Sequence, residues 1–98
     1  MSVTAYHFWS PTCAPCKIIK PALEDLKEEF PQVVWVSVNT HDDTDFLSGK
    51  FNVTTVPTIV VEAKDTSDIV VSTERHSGTN MAGYYRIMRS GLRTIQQS

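Results

Sequence analysis

Two cysteines are all that this 98-residue chain contains, and they stand three apart, at Cys13 and Cys16. A disulfide-stapled scaffold needs more of them, spread further along the chain, so the fold has to rest on an apolar core. Four glycines and five prolines are too few for a collagen-like or low-complexity chain. Basic excess is missing too: 9 Lys and Arg stand against 11 Asp and Glu, a net charge of -2. That gives no footprint for a nucleic-acid backbone. No apolar run approaches the roughly 20 residues of a membrane span. Residues 1–9 lack the basic start and long apolar stretch of a secretion signal, so a cytoplasmic protein is expected, although a chain whose signal had been removed would read the same way.

What is present belongs to an ordinary globular domain. Apolar residues make up 41% and charged residues 20% of the chain, and its length builds one core, so a single domain over residues 1–98 is expected. Residues 4–9 form a β-branched and aromatic run that reads as a first strand. Pro11 and Thr12 interrupt it. From Cys13 the period is helical, with Ile19, Ala22, Leu23, Leu26 and Phe30 on one stripe. Pro21 is expected to bend that helix and Pro31 to end it. Residues 33–38 are a continuous apolar run of the kind found in strands buried on both faces.

Strand, helix and strand make a right-handed unit with parallel strands. Phe46, Leu47 and Phe51 mark a short second helix. Residues 58–62 and 69–73 read as strands joined by a charged turn short enough for a hairpin. Asn80 is placed to cap a last helix whose apolar positions are Met81, Tyr85, Met88, Leu92 and Ile95, with Gly83 and Gly91 weakening it. The order βαβ-α-ββα defines an α/β fold, a four-stranded mixed sheet flanked by helices on both faces.

The chemistry is concentrated in Cys13-Ala14-Pro15-Cys16. Disulfide exchange needs a thiolate, a second thiol close by and an open approach. A strand end followed by Pro11 and Thr12 leaves Cys13 at the sheet edge, where a helix begins and aims free N–H groups at its sulfur. Pro15 in the first turn has no N–H to waste. Lowering a thiol from about 8.5 to about 7 takes roughly 2 kcal/mol. The helix dipole offers about 0.3–1 kcal/mol, so hydrogen bonds from the Cys16 thiol and backbone amides have to supply the rest. The expected order is attack by the Cys13 thiolate, a mixed disulfide, then resolution by the more buried Cys16, leaving a Cys13–Cys16 bond. A zinc site would need about four ligands, and His7, His41 and His76 do not fall at zinc spacing, so no metal is expected. Two inert buried cysteines are the alternative.

The segment Phe8-Trp9-Ser10-Pro11-Thr12-Cys13-Ala14-Pro15-Cys16-Lys17, with Pro21 further on, resembles the active-site segment of thioredoxins. Thr55-Val56-Pro57-Thr58 resembles the second signature of that family, a loop whose proline is cis and faces the cysteines. The likeness spans residues 3 to 90 or so. It implies a thioredoxin-like fold and reduction of protein disulfides, with no cofactor beyond the redox-active Cys13–Cys16 disulfide. Trp9, Thr12, Pro15, Val56 and Pro57 would line the site for substrate, with the Val56 backbone pairing to an extended target. The implied partners are disulfide-containing proteins and, as electron donor, a thioredoxin reductase or glutathione; a monomer is expected.

The departures from the family pattern bear on mechanism. Thr12 replaces an aromatic, and Ala14 replaces a glycine. The family's buried aspartate falls at His7 and its lysine partner at Ser37, so His7 is a candidate proton acceptor for Cys16. The alternative is a core histidine satisfied by backbone. The chain has no room before Thr4 for the family's first strand and helix, and reads as a trimmed version of glutaredoxin size. A glutathione-linked, glutaredoxin-like reductase is a rival reading, but Ala14-Pro15 offers no aromatic and Ser77-Gly78-Thr79 is a weak stand-in for a glutathione loop. An oxidase or isomerase of an oxidising compartment is another. A binding module that keeps the fold as a scaffold, presenting residues 76–80 and the Val56 loop, is the reading from a different class.

Overall fold

Residues 1–96 are described by a computed structural model, in which β1 (Ser2–Trp9), α1 (Ala14–Glu29), β2 (Val34–Asn39), α2 (Leu47–Lys50), β3 (Thr58–Lys64), β4 (Val70–Ser77) and α3 (Met81–Gln96) follow in order. The sheet runs β2-β1-β3-β4. β1 pairs with β2 in parallel and with β3 antiparallel, and β3 with β4 antiparallel. The mixed sheet expected from the order of patterns is the one formed. No helix among the described residues is long and apolar enough to cross a membrane.

Alternation along the central strands divides the core in two. Val3 and Ala5 of β1 and Ile59, Val61 and Ala63 of β3 meet Ile19, Leu23 and Leu26 of α1 and Tyr84, Ile87 and Met88 of α3. On the other face Phe8, Val38, Phe51 and Val60 form a smaller cluster with Leu47 of the short α2 packed against it. α1 runs through Pro21 as one helix and ends at Phe30, whose N–H reaches the Leu26 carbonyl just before Pro31. Asn80 caps α3 as expected, its Oδ1 accepting from Ala82 N at 3.1 Å.

Two expectations are corrected. The continuous apolar run at residues 33–38 is not the strand buried on both faces. β2 lies at the sheet edge, where Val34 is 54% exposed, and only Val38 within it is buried. The doubly covered strand is β3, buried from Thr58 to Ala63: it is one of the two central strands, paired with β1 and β4, and its alternate residues enter both clusters.

The buried stripe of α3 is also turned by about one position: Tyr84, Ile87, Met88, Gly91 and Leu92 are buried, while Met81, Tyr85 and Ile95 sit at its border. Glycines cause the rotation. A Cβ on Gly91 would stand 2.8 Å from Val61 Cγ1, and one on Gly83 would overlap the His76 ring. Both glycines therefore face the sheet and let the helix approach it closely. Gly91→Val is expected to destabilise the fold by about 2–3 kcal/mol through overpacking, read as a lower denaturant midpoint at unchanged m-value.

Candidate active site

β1 ends at Trp9 and the chain turns through residues 10–13, with Cys13 N donating to Ser10 O at 3.2 Å. Cys13 is the N-cap of α1. Its backbone is extended, at φ -90° and ψ 104°, and its Sγ accepts a hydrogen bond from Cys16 N at 3.1 Å. The sulfur thus takes the place usually held by a capping hydroxyl or carboxylate oxygen. No acidic residue stands in the first turn to offset the positive helix end. Cys13 and Cys16 are joined in a disulfide, their Cα atoms 5.3 Å apart.

The expected contrast in burial between the two cysteines is not found in this oxidised form: Cys13 is 8% and Cys16 7% exposed. Joined sulfurs cover one another. What distinguishes the pair is the cap, which faces only Cys13.

Cys16 opens on its other side to a cleft of about 320 Å³, lined among others by His7, Trp9, Leu23, Glu24 and Ser37. The Trp9 indole N–H donates to Ser37 Oγ at 2.7 Å, so Ser37 satisfies an aromatic donor. His7 Nε2 is buried without a hydrogen-bond partner. Burial above all, then the Lys27 ammonium, pushes the His7 pKa down to about 4, with Glu24 opposing. His7 is therefore neutral at physiological pH. The expected alternative of a histidine whose ring is satisfied by backbone does not hold for its Nε2.

At the same end of the sheet, Phe8 pairs with Thr58 and brings the 55–58 loop beside the end of β1. The Val56–Pro57 bond is cis, as the resemblance implied. Pro57 is fully buried and Val56 half-buried. Val56 also lines a separate recess of about 160 Å³ with Thr40, Ser48, Val53, Thr54 and Thr55. The candidate residues thus fall in three adjoining places. His7, Trp9 and Cys16 share the cleft. Thr12 and Pro15 flank Cys13 at the exposed helix start. Val56 and Pro57 lie in the 55–58 loop at the same end of the sheet.

Sequence reasoning missed the hydroxyl groups around this end. Ser10 is buried, its Oγ 3.4 Å from Thr12 Oγ1. Thr58 and Tyr84 are buried and bond to the 55–58 loop. Tyr84 had a signal, since it falls on one helical face with Ile87, Met88 and Gly91, but adjacent Tyr85 serves the period equally well.

A four-stranded mixed sheet with a cysteine-capped helix and a cis-proline loop at one end is the thioredoxin-like fold. The thioredoxin family model matches residues 3–82, and the chain belongs to that family. Similar curated proteins include the thioredoxin of Mycoplasma genitalium, 41% identical over 54 residues that cover 55% of this chain and 52% of that protein. The thioredoxin of Bacillus subtilis is 39% identical over 62 residues, 60% of this chain and 57% of its own length. The matched part thus spans little more than half of either relative. Among solved structures, Fasciola hepatica thioredoxin superimposes with a TM-score of 0.74 at 27% identity, over 92% of this chain and 81% of that one.

Proposed function

We propose that the protein is a thiol–disulfide oxidoreductase that reduces protein disulfides, with Cys13 as nucleophile and Cys16 as resolving thiol. The observation that carries the reading is the Cys16 N–H directed at Cys13 Sγ from 3.1 Å. In the reduced protein the same donor would face the Cys13 thiolate. A hydrogen bond to a charged acceptor contributes about 1.5–3 kcal/mol, and the helix end adds about 0.3–1 kcal/mol. Together they cover the roughly 2 kcal/mol needed to bring a thiol near neutrality.

The Cys13 thiolate attacks one sulfur of the target disulfide, the target's other sulfur leaves as thiolate and takes a proton, and a mixed disulfide forms. Cys16 then loses its proton and attacks Cys13 Sγ, expelling the second target thiolate. Two electrons pass to the target and the Cys13–Cys16 disulfide is the product. No cofactor or metal enters these steps.

His7 shares the cleft with Cys16, but its conjugate acid, at about 4, is a poor match for a thiol near 8.5. Moving the proton onto it is uphill by about 6 kcal/mol. We therefore assign the Cys16 proton to solvent in the cleft rather than to His7. His7→Gln is expected to leave the pH profile of disulfide reduction unchanged above pH 6, measured by stopped-flow against a protein disulfide; a shift of the profile by half a unit or more would restore His7 as the acceptor.

Thr12, Pro15, Trp9 and the Val56 backbone form the target-facing surface in this reading, and Pro57, being buried, shapes the loop. A thioredoxin reductase is the proposed donor, the protein acting as a cytoplasmic monomer. The test is insulin reduction with purified protein, with NADPH and thioredoxin reductase in one arm and glutathione in the other. Turnover with the reductase supports the proposal. Turnover with glutathione alone would favour the glutaredoxin-like reading, and none with either donor or with dithiothreitol would leave the scaffold reading.

A further inference from the structure

Val56 is the residue whose backbone would pair with an extended target, and it stands between two carbonyl groups, those of Thr55 and Pro57. Thr55 O is held directly by a buried hydroxyl, and Pro57 O through Gly78, which a second buried hydroxyl fixes. Thr58 Oγ1 donates to Thr55 O at 2.7 Å. Having spent its proton there, Thr58 accepts from Ser77 Oγ at 2.6 Å. On the other side the Tyr84 hydroxyl reaches in from α3, donating to Gly78 O at 2.6 Å with Pro57 O 3.3 Å away. Gly78 N donates to the same Pro57 O at 3.0 Å, and Gly78 adopts φ +100°, a conformation that suits glycine.

The braces come from three different elements, β3, β4 and α3, so they tie a loop to the body of the fold. Thr58 is 1% and Tyr84 0% exposed, and in such surroundings a hydrogen bond is hard for water to replace. The Tyr84 ring is itself seated edge-on against His76, centroids 4.7 Å apart. His76 in turn bonds Asn80 O at 3.0 Å and occupies the space that a Gly83 side chain would take. Burial holds the Tyr84 pKa up at about 12, so the hydroxyl keeps its proton as a donor.

We infer that Tyr84 and Thr58 are positioning residues for target recognition: Thr58 holds the Thr55–Val56 peptide plane, Tyr84 with Gly78 fixes the Pro57–Thr58 plane, and the two together set the angle at which Val56, lying between them, meets a target backbone. The inference rests on the oxidoreductase reading above and adds to it the residues that set its preference for polypeptide over small disulfides. Main-chain pairing depends on the direction of the N–H and C=O groups it uses. A small disulfide has no backbone to align and depends on Cys13 alone. Loss of one brace should therefore raise KM for a protein target while leaving chemistry at the sulfur in place.

The experiment compares Tyr84→Phe, Thr58→Val and Thr58→Ser with the unsubstituted protein, dithiothreitol serving as reductant. The substrates are insulin and a small aromatic disulfide, dithiobis(nitrobenzoate). Tyr84→Phe and Thr58→Val are expected to raise KM for insulin about fivefold with kcat within about twofold, the effect of one lost hydrogen bond. Efficiency toward the small disulfide should change less than about twofold, and Thr58→Ser should restore the insulin KM. If both substrates suffer in parallel, or neither does, the inference is overturned. Should Tyr84→Phe lose its near-ultraviolet circular dichroism, Thr58→Val against Thr58→Ser decides. If the unsubstituted protein reduces neither substrate, the oxidoreductase reading fails, and the positioning role falls with it.

Discussion

Reduced Cys16→Ser protein, mixed with a disulfide-bonded target, is expected to stop at a covalent complex joined through Cys13. Turnover should fall by at least ~100-fold, since the step that releases the target is then left to thiols from solution rather than to one held alongside. The observation behind the expectation is the disulfide itself, which places Cys16 within bonding reach of Cys13 on the first turn of α1. Cys13→Ser is expected to behave differently, losing turnover to background and forming no complex, because Cys16 lacks the cap donor and faces the cleft instead. Non-reducing electrophoresis followed by peptide mapping separates the two outcomes. A complex formed equally well through Cys16 would reverse the assignment of roles.

The second large effect concerns acid. His7 titrates at about 4 in the folded protein and at about 6.5 when exposed. Between these values the unfolded chain binds more protons than the folded one. Stability contributed by neutral His7 is therefore present above about pH 6.5 and is lost as pH falls toward 4. The ceiling on that loss is about 3 kcal/mol, set by the gap between the two values. The Lys27 ammonium, which lines the cleft with Lys17 and Lys20, works in the same direction as burial, and Glu24 partly offsets it. His7→Gln removes the titration. Urea unfolding of the two proteins from pH 7 to pH 4 should show the unsubstituted protein losing more stability across that window, by up to this amount. Parallel curves would mean that the His7 ring gains solvent or a partner when protonated.

The sheet and the cysteine pair were legible because each is dictated locally. The change from a β-branched run to helical period at Cys13 locates the cap, and strand–helix–strand order leaves little choice of topology. Depth in the sheet is a different matter. The apolar run of β2 reads like a central strand, yet Val34 lies open to solvent, because which strand is covered depends on what the rest of the chain places beside it. Adjacent tyrosines made the face of α3 ambiguous, and only the close approach at Gly91 and Gly83 resolves it in favour of Tyr84. The same ambiguity hid the braces on the Val56 loop, since those hydroxyls come from residues 58, 77 and 84, far from one another along the chain. His7 lines the same cleft as Cys16, but its basicity is set by burial and by Lys27 on another element. Sequence supplied the position and tertiary structure decided the chemistry.

One measurement bears most directly on the central claim. The reduced protein is alkylated with iodoacetamide across pH 5 to 10, and the rate at each cysteine is followed by mass spectrometry. The account predicts that Cys13 reacts first and that its rate titrates near neutrality, well below the ~8.5 of an ordinary thiol, while Cys16 lags. Equal rates at both sites, each following the profile of free cysteine, would contradict it.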